Sequence, residues 1–200
     1  MQLSRGLNDV LSALGTKGEE DSYEIFSGRH YSDSIHRAMI EMVAERKAPR
    51  RILDLHCGTG RLLHQISAKW TSAKLIGVDS LEESIRIAKN HFVAAELYVS
   101  PIDKIPLVDE SADIVFSALA FQDIPDGVGG VLREVSRVLK RDGVFCLSEF
   151  TLPLIIARVL KKKSQKRSDL VKALTANGFS VRGEKQIYMG IVSIISASRT

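Results

Sequence analysis

From Arg51 to Ser198 the chain alternates short apolar runs with stretches in which apolar residues return every three or four positions. Runs of the first kind predict buried strands, and stretches of the second kind predict helices packed on one side. RILDLH (51–56) reads as a strand. Leu62, Leu63, Ile66 and Trp70 then mark one face of a helix over residues 60–70. KLIGVD (74–79) is a second strand, after which Ser80 is placed to cap a helix with Glu82 and Glu83 in its first turn, where carboxylates favour the helix dipole. Residues 96–99 predict a third strand and 113–119 a buried fourth. A helix over 128–140 follows, with a turn at Arg141-Asp142-Gly143 and a fifth strand over 144–150. A last helix, 168–177, is closed by Gly178. Two final strands, 179–188 and 191–198, are separated only by Met189-Gly190. So short a link cannot carry a crossover, so these two should pair antiparallel.

Strands alternating with helices predict a doubly wound, Rossmann-like α/β sheet of seven mostly parallel strands with a C-terminal antiparallel hairpin. Residues 1–48 lie outside that alternation. Leu7, Val10, Leu11 and Leu14 recur at helical spacing up to Gly15, and polar residues interrupt them, so they predict an amphipathic helix rather than a secretion signal. The expected organisation is an N-terminal helical lid, 1–48, on a core of 49–200, together one domain. A length of 200 residues fits that.

Composition narrows the class. Hydrophobic residues make up 44% and charged residues 26%, which argues against disorder. Apolar stretches such as 154–157 are far short of the roughly 18 residues that cross a bilayer. Two cysteines, Cys57 and Cys146, form no CxxC pair, and the five histidines show no ligand spacing, so no metal is expected. The cytoplasm is the expected compartment. The net charge of +4 is concentrated in one place: Arg158, Lys161, Lys162, Lys163, Lys166 and Arg167 follow one another without an acid.

The chemistry-bearing residues cluster where the first strand meets its helix. Asp54 precedes the loop His56-Cys57-Gly58-Thr59-Gly60. The glycines allow a sharp turn and close approach of a ligand to main-chain N–H groups. Asp79 ends the second strand, placed to accept hydrogen bonds from a ribose diol. A plain turn with a capping Asp accounts for these residues too, as does a dinucleotide site. A dinucleotide site, however, usually carries a third glycine, where this chain has Leu63. Asp54 would also repel a pyrophosphate. A ligand with both an ammonium group and a ribose suits the two acids better than NAD does.

Taken together, these segments resemble the class I S-adenosylmethionine-dependent methyltransferases. RILDLHCGTGRL is similar to their first motif, with His56 where glycine is usual, and LIGVDSLEESIRIAK to their second. IDKIPLVDESADIVFSALAFQDIPD resembles the segment through the fourth strand, and LREVSRVLKRDGVFCLSEF the following helix and fifth strand. SYEIFSGRHY resembles the lid segment. The resemblance implies S-adenosylmethionine as cofactor. It puts Asp54, His56, Gly58 and Gly60 at the methionyl end, Asp79 on the ribose, and Ser80, Ile102 and Asp103 beside the adenine. Ser117 and Ala118 would lie near the sulfonium, with Tyr23, Tyr31, Phe121 and Gln122 as lid or acceptor contacts. Pro101 stands where an Asp commonly meets the adenine amino group. LAFQ is similar to the malonyl-carrier O-methyltransferases of biotin synthesis, and LSEFTLP to the quinone-pathway C-methyltransferases.

Methyl transfer from a sulfonium needs alignment more than acid–base groups. Gln122, Asp123 and Glu149 are the candidate catalytic residues, though Asp-Ile-Pro-Asp also reads as a turn and Glu149 as a structural strand end. The acceptor is expected to be a small molecule, lipid-like, or carrier-bound. The basic run 158–167 reads either as a solvated tail or as a contact for an anionic membrane or acidic carrier. It has no interleaved aromatics, so nucleic acid is not expected. The chain should act as a monomer or homodimer. A methyltransferase-like fold that only binds a partner is the alternative reading.

Overall fold

The computed structural model describes residues 29–45, 48–91, 94–121, 124, 127–151 and 166–200. Helix α1 (Arg29–Met42) leads into β1 (Arg51–Leu55), α2 (Arg61–Lys69), β2 (Lys74–Asp79), α3 (Glu82–His91) and β3 (Ala95–Val99). After β4 (Ala112–Ala118) come α4 (Gly129–Val138), β5 (Leu139–Phe150), α5 (Arg167–Ala176), β6 (Phe179–Ile187) and β7 (Val192–Arg199). A 3₁₀ turn, Tyr188–Gly190, joins the last two strands.

The strands form one sheet in the order β3-β2-β1-β4-β5-β7-β6. The first five are parallel, and β7 runs antiparallel between β5 and β6. This is the doubly wound sheet with a terminal antiparallel pair that the sequence predicts. Central strands β1 and β4 are apolar almost throughout because both their faces are covered. One face, through Ile52, Ile114, Phe116, Cys146 and Ile194, packs against α1, α2 and α3. The other, through Leu53, Leu55, Val115, Phe145 and Ile195, packs against α4 and α5. The chain passes outward from β1 to β3 and then returns to lay β4 beside β1. That reversal opens a crevice at the carboxyl ends of β1 and β4, where ligands of such sheets bind.

Three expected boundaries are corrected. Helix α4 stops at Val138 rather than at residue 140, because Leu139 turns extended (φ −73°, ψ 132°) and pairs with Ala112. The predicted turn at 141–143 is a bulge within β5: Leu139 faces Ala112 but Val144 faces Ile114. Gly143 permits it, since a Cβ there would stand 2.7 Å from Leu139 Cδ1. At the head of α3 the visible bond comes from Asp79, whose Oδ1 accepts the Leu81 N–H (2.9 Å), and Ser80 is exposed. The helix predicted before Gly15 lies outside the described residues; of the N-terminal 48, residues 29–45 and 48 are described, and α1 lies among them. Among the described residues no helix is long and apolar enough to cross a membrane.

Gly77 in β2 sets how closely α2 and its preceding loop approach the sheet. A Cβ there would lie 2.6 Å from Leu97 Cδ2, 2.8 Å from Cys57 Sγ and 2.9 Å from Leu63 Cδ1. Overpacking of this kind costs about 1–3 kcal/mol. Gly77→Ala is therefore expected to lower the unfolding free energy by that amount, read as a lower urea midpoint at an unchanged slope. A variant as stable as the parent would show that the loop has room to spare.

Candidate cofactor site at the carboxyl ends of β1 and β2

The loop between β1 and α2 is folded against β2. His56 N–H and Cys57 N–H both donate to Val78 O (2.8 and 3.1 Å), and Gly60 N–H closes a turn on Cys57 O (3.0 Å). His56, Gly58 and Gly60 all sit at positive φ, 65°, 52° and 83°. Glycine tolerates this freely, whereas His56 holds a conformation costing an L-residue roughly 1–2 kcal/mol. This shape aims the Gly58 N–H at Asp79 Oδ2 (2.8 Å). With Leu81 N–H on Oδ1, each oxygen of the Asp79 carboxylate accepts one main-chain amide. An asparagine could satisfy only one of the two.

Asp54 is the other acid. Both carboxyls are 1% exposed. Asp54 Oδ2 has no hydrogen-bond partner among the described residues. Burial first, and then the charge of Asp79, pushes the Asp54 carboxyl well above the ordinary carboxylate range. The Cys57 thiol is pushed up by burial and by both carboxyls, which leaves it an inert part of the packing.

Beside Asp79 lies a shallower region. Ser100 N–H donates to Asp79 O (2.9 Å), and a turn from Pro101 O to Lys104 N–H (3.0 Å) presents half-buried Ile102 and exposed Asp103. Across from it Leu81 is 61% exposed, a large apolar side chain at a strand-to-helix corner. Leu81 was not among the residues expected from the sequence; the signal was an apolar residue two positions after a strand-ending acid. Asp103 also lies near the first turn of α4, with its Cβ 3.7 Å from where a Gly130 Cβ would be.

The remaining expected residues divide. Ala118 shares the α1-facing side of the sheet with Asp54, whereas Ser117 alternates to the other side, so the two do not line one floor. Glu149 is fully buried, and its Oε1 accepts the Phe121 N–H (2.8 Å), bracing the loop after β4. Tyr23, Gln122 and Asp123 lie outside the described residues, as does the side chain of Tyr31. Of the basic run, Lys166 and Arg167 are described, and Arg167 pairs with Glu184, an acid distant in sequence.

Helix α1 covers this end of the sheet. Asp33 Oδ1 takes hydrogen bonds from Arg61 (3.2 Å) and Gln65 (3.0 Å) of α2. His36, one turn on, is held down to about 4 by burial and the nearby Arg61 charge, with Asp33 opposing. Unfolded, it would titrate near 6.5. Unfolding therefore takes up a proton between these values, and stability present above pH 6.5 is lost as pH falls toward 4. The full window amounts to about 3 kcal/mol. His36→Gln is expected to flatten that part of the stability–pH curve, measured by urea unfolding at pH 7 and at about pH 4.5. Parallel curves for the two proteins would contradict it.

A family model described as "Methyltransferase domain" matches residues 47–193. A demethylmenaquinone methyltransferase of Thermotoga maritima is 31% identical over 117 residues, 58% of this chain and 50% of that protein. A malonyl-acyl-carrier-protein O-methyltransferase of Methylococcus capsulatus is 33% identical over 105 residues, 51% of this chain and 38% of that protein. This chain thus matches half or less of the length of these relatives. Among solved structures, a geranyl diphosphate methyltransferase in complex with SAM superposes with a TM-score of 0.73 at 12% identity, covering 94% of each chain. At that identity the likeness is one of fold.

Proposed function

The chain belongs to the methyltransferase-domain family, and on that footing we propose that it transfers a methyl group from S-adenosylmethionine to a small-molecule or carrier-bound acceptor. The observation that carries this reading is Asp54: a buried carboxyl with an oxygen left unpartnered beside a second carboxyl calls for a cationic ligand group. The ammonium of S-adenosylmethionine fits, and a pyrophosphate does not. The residues present suit the rest of that molecule. Main-chain groups of residues 56–60 face the methionyl end, Asp79 has acceptor sites left for a ribose hydroxyl, and Leu81 and Ile102 offer apolar surface to the adenine. Asp103 is within the same turn and takes the polar edge.

Bound S-adenosylmethionine supplies a methyl group already activated on a sulfonium. What the chain must add is alignment and exclusion of water. Helix α1, clasped to α2 through Asp33 and Arg61, supplies the cover on one side. The names of the relatives, one acting on demethylmenaquinone and one on a malonyl carrier, support an acceptor that is a small molecule or is held by a carrier. The run 158–167 would meet an anionic membrane or an acidic carrier, with Arg167 already committed to Glu184. Both cysteines are free thiols, which supports a reducing compartment such as the cytoplasm.

Pairing with an ammonium requires Asp54 to ionise, so binding releases a proton and affinity rises as pH is raised through the Asp54 titration. Calorimetry in two buffers of different ionisation enthalpy reads the proton directly. Asp54→Asn is expected to remove the release and to weaken binding by about 1.5–3 kcal/mol, the worth of a hydrogen bond to a charged group. Unchanged affinity with no proton released by the parent would overturn the ammonium assignment.

A further inference from the structure

Three more buried polar atoms on the α1 side of the sheet have no partner among the described residues: Ser32 Oγ, His36 Nδ1 and Ser148 Oγ. Ser148 lies on that side because it stands opposite Ala118 in β4 and Ile194 in β7, both of which pack there. The direction of α1 follows from two contacts. Met39 O accepts from Cys146 Sγ (3.6 Å) at mid-sheet, while Asp33 reaches Arg61, the residue after Gly60, at the carboxyl end. Ser32 and His36 precede Met39, so they sit toward the carboxyl ends, as Ser148 does relative to Cys146. Ser32 and His36 are four residues apart and share one helix face.

Their residues are 8%, 9% and 0% exposed. A desolvated polar atom left unsatisfied is costly. Here three lie on the face that α1 shares with β4 and β5, toward the carboxyl ends of the strands. Packing among apolar neighbours does not require them. A ligand bearing hydrogen-bonding groups would satisfy them.

We propose that Ser32 and His36 of α1, with Ser148 of β5, form the polar wall of the methyl-acceptor chamber, and that this chamber takes an acceptor presenting a hydroxyl or enol oxygen rather than a hydrocarbon surface. The inference rests on the S-adenosylmethionine reading, because that reading puts the ammonium on Asp54 and the sulfonium toward Ala118, the register partner of Ser148, and hence at the edge of this space. Burial and the Arg61 charge keep the His36 imidazole neutral at neutral pH, so one of its nitrogens accepts a hydrogen bond from an acceptor hydroxyl. The two serines donate to or accept from the same oxygen.

The test uses the full chain loaded with S-adenosylhomocysteine and two probes of like shape, phenol and toluene. Phenol is expected to bind about tenfold tighter, the worth of one net hydrogen bond, and to shift the His36 ring signals in the NMR spectrum. Combining Ser32→Ala with His36→Phe should bring the two probes to within about twofold, while His36→Gln, which keeps a hydrogen-bonding group, retains part of the preference. Affinity for S-adenosylhomocysteine should stay unchanged in both variants. Equal binding of phenol and toluene to the parent, or a preference that survives the double substitution, overturns the chamber assignment alone. Failure of the parent to bind S-adenosylhomocysteine overturns the cofactor reading and this inference with it.

Discussion

Two carboxyls that water cannot reach end neighbouring parallel strands, and the local structure arranges itself around that conflict. Like charges so placed repel strongly in a low dielectric. The conflict is relieved unequally. Asp79 takes the amides of Gly58 and Leu81, and the left-handed turns at His56, Gly58 and Gly60 are what bring the first of these to it. Asp54 gains no such amide on its Oδ2 and is driven toward its neutral form. The same loop geometry therefore satisfies one acid and leaves the other waiting for a cation. That asymmetry separates this site from a dinucleotide site built on the same strand–loop–helix plan.

The plan itself also differs in one packing detail. In a dinucleotide fingerprint the third glycine lies on the helix and lets it close on the strand. Here that helix position is Leu63, fully buried. The small residue stands instead on the facing strand, at Gly77, where Leu63 Cδ1 would meet any Cβ. Close helix–sheet approach is kept, but the glycine that grants it has moved to the other partner.

Strand and helix identities were legible because burial on two faces makes parallel strands continuously apolar and helices periodic. That the first five strands run parallel follows from the alternation. Placement of β7 between β5 and β6 does not, since a two-residue link only requires the last two strands to be neighbours. The bulge over residues 139–144 was hidden because Leu139 satisfies both a helix pattern and a strand pattern. At the site, the acids and glycines were readable from their spacing. Leu81 and the polar face of α1 were not: an exposed apolar residue and a lone His on a helix have ordinary explanations until the fold shows what surrounds them. Glu149 reads in the sequence as an acid at a strand end, and only the fold shows that it also holds the Phe121 amide.

The most direct test of the account is to titrate the chain calorimetrically with S-adenosylhomocysteine, with 5′-methylthioadenosine and with NAD. All three carry adenosine, but only the first brings an ammonium to Asp54, and only NAD brings a pyrophosphate. The account predicts that S-adenosylhomocysteine binds tightest, that 5′-methylthioadenosine is weaker by about tenfold or more for want of a charged hydrogen bond, and that NAD does not bind measurably. Binding of NAD as tight as that of S-adenosylhomocysteine, or 5′-methylthioadenosine matching S-adenosylhomocysteine, would contradict it.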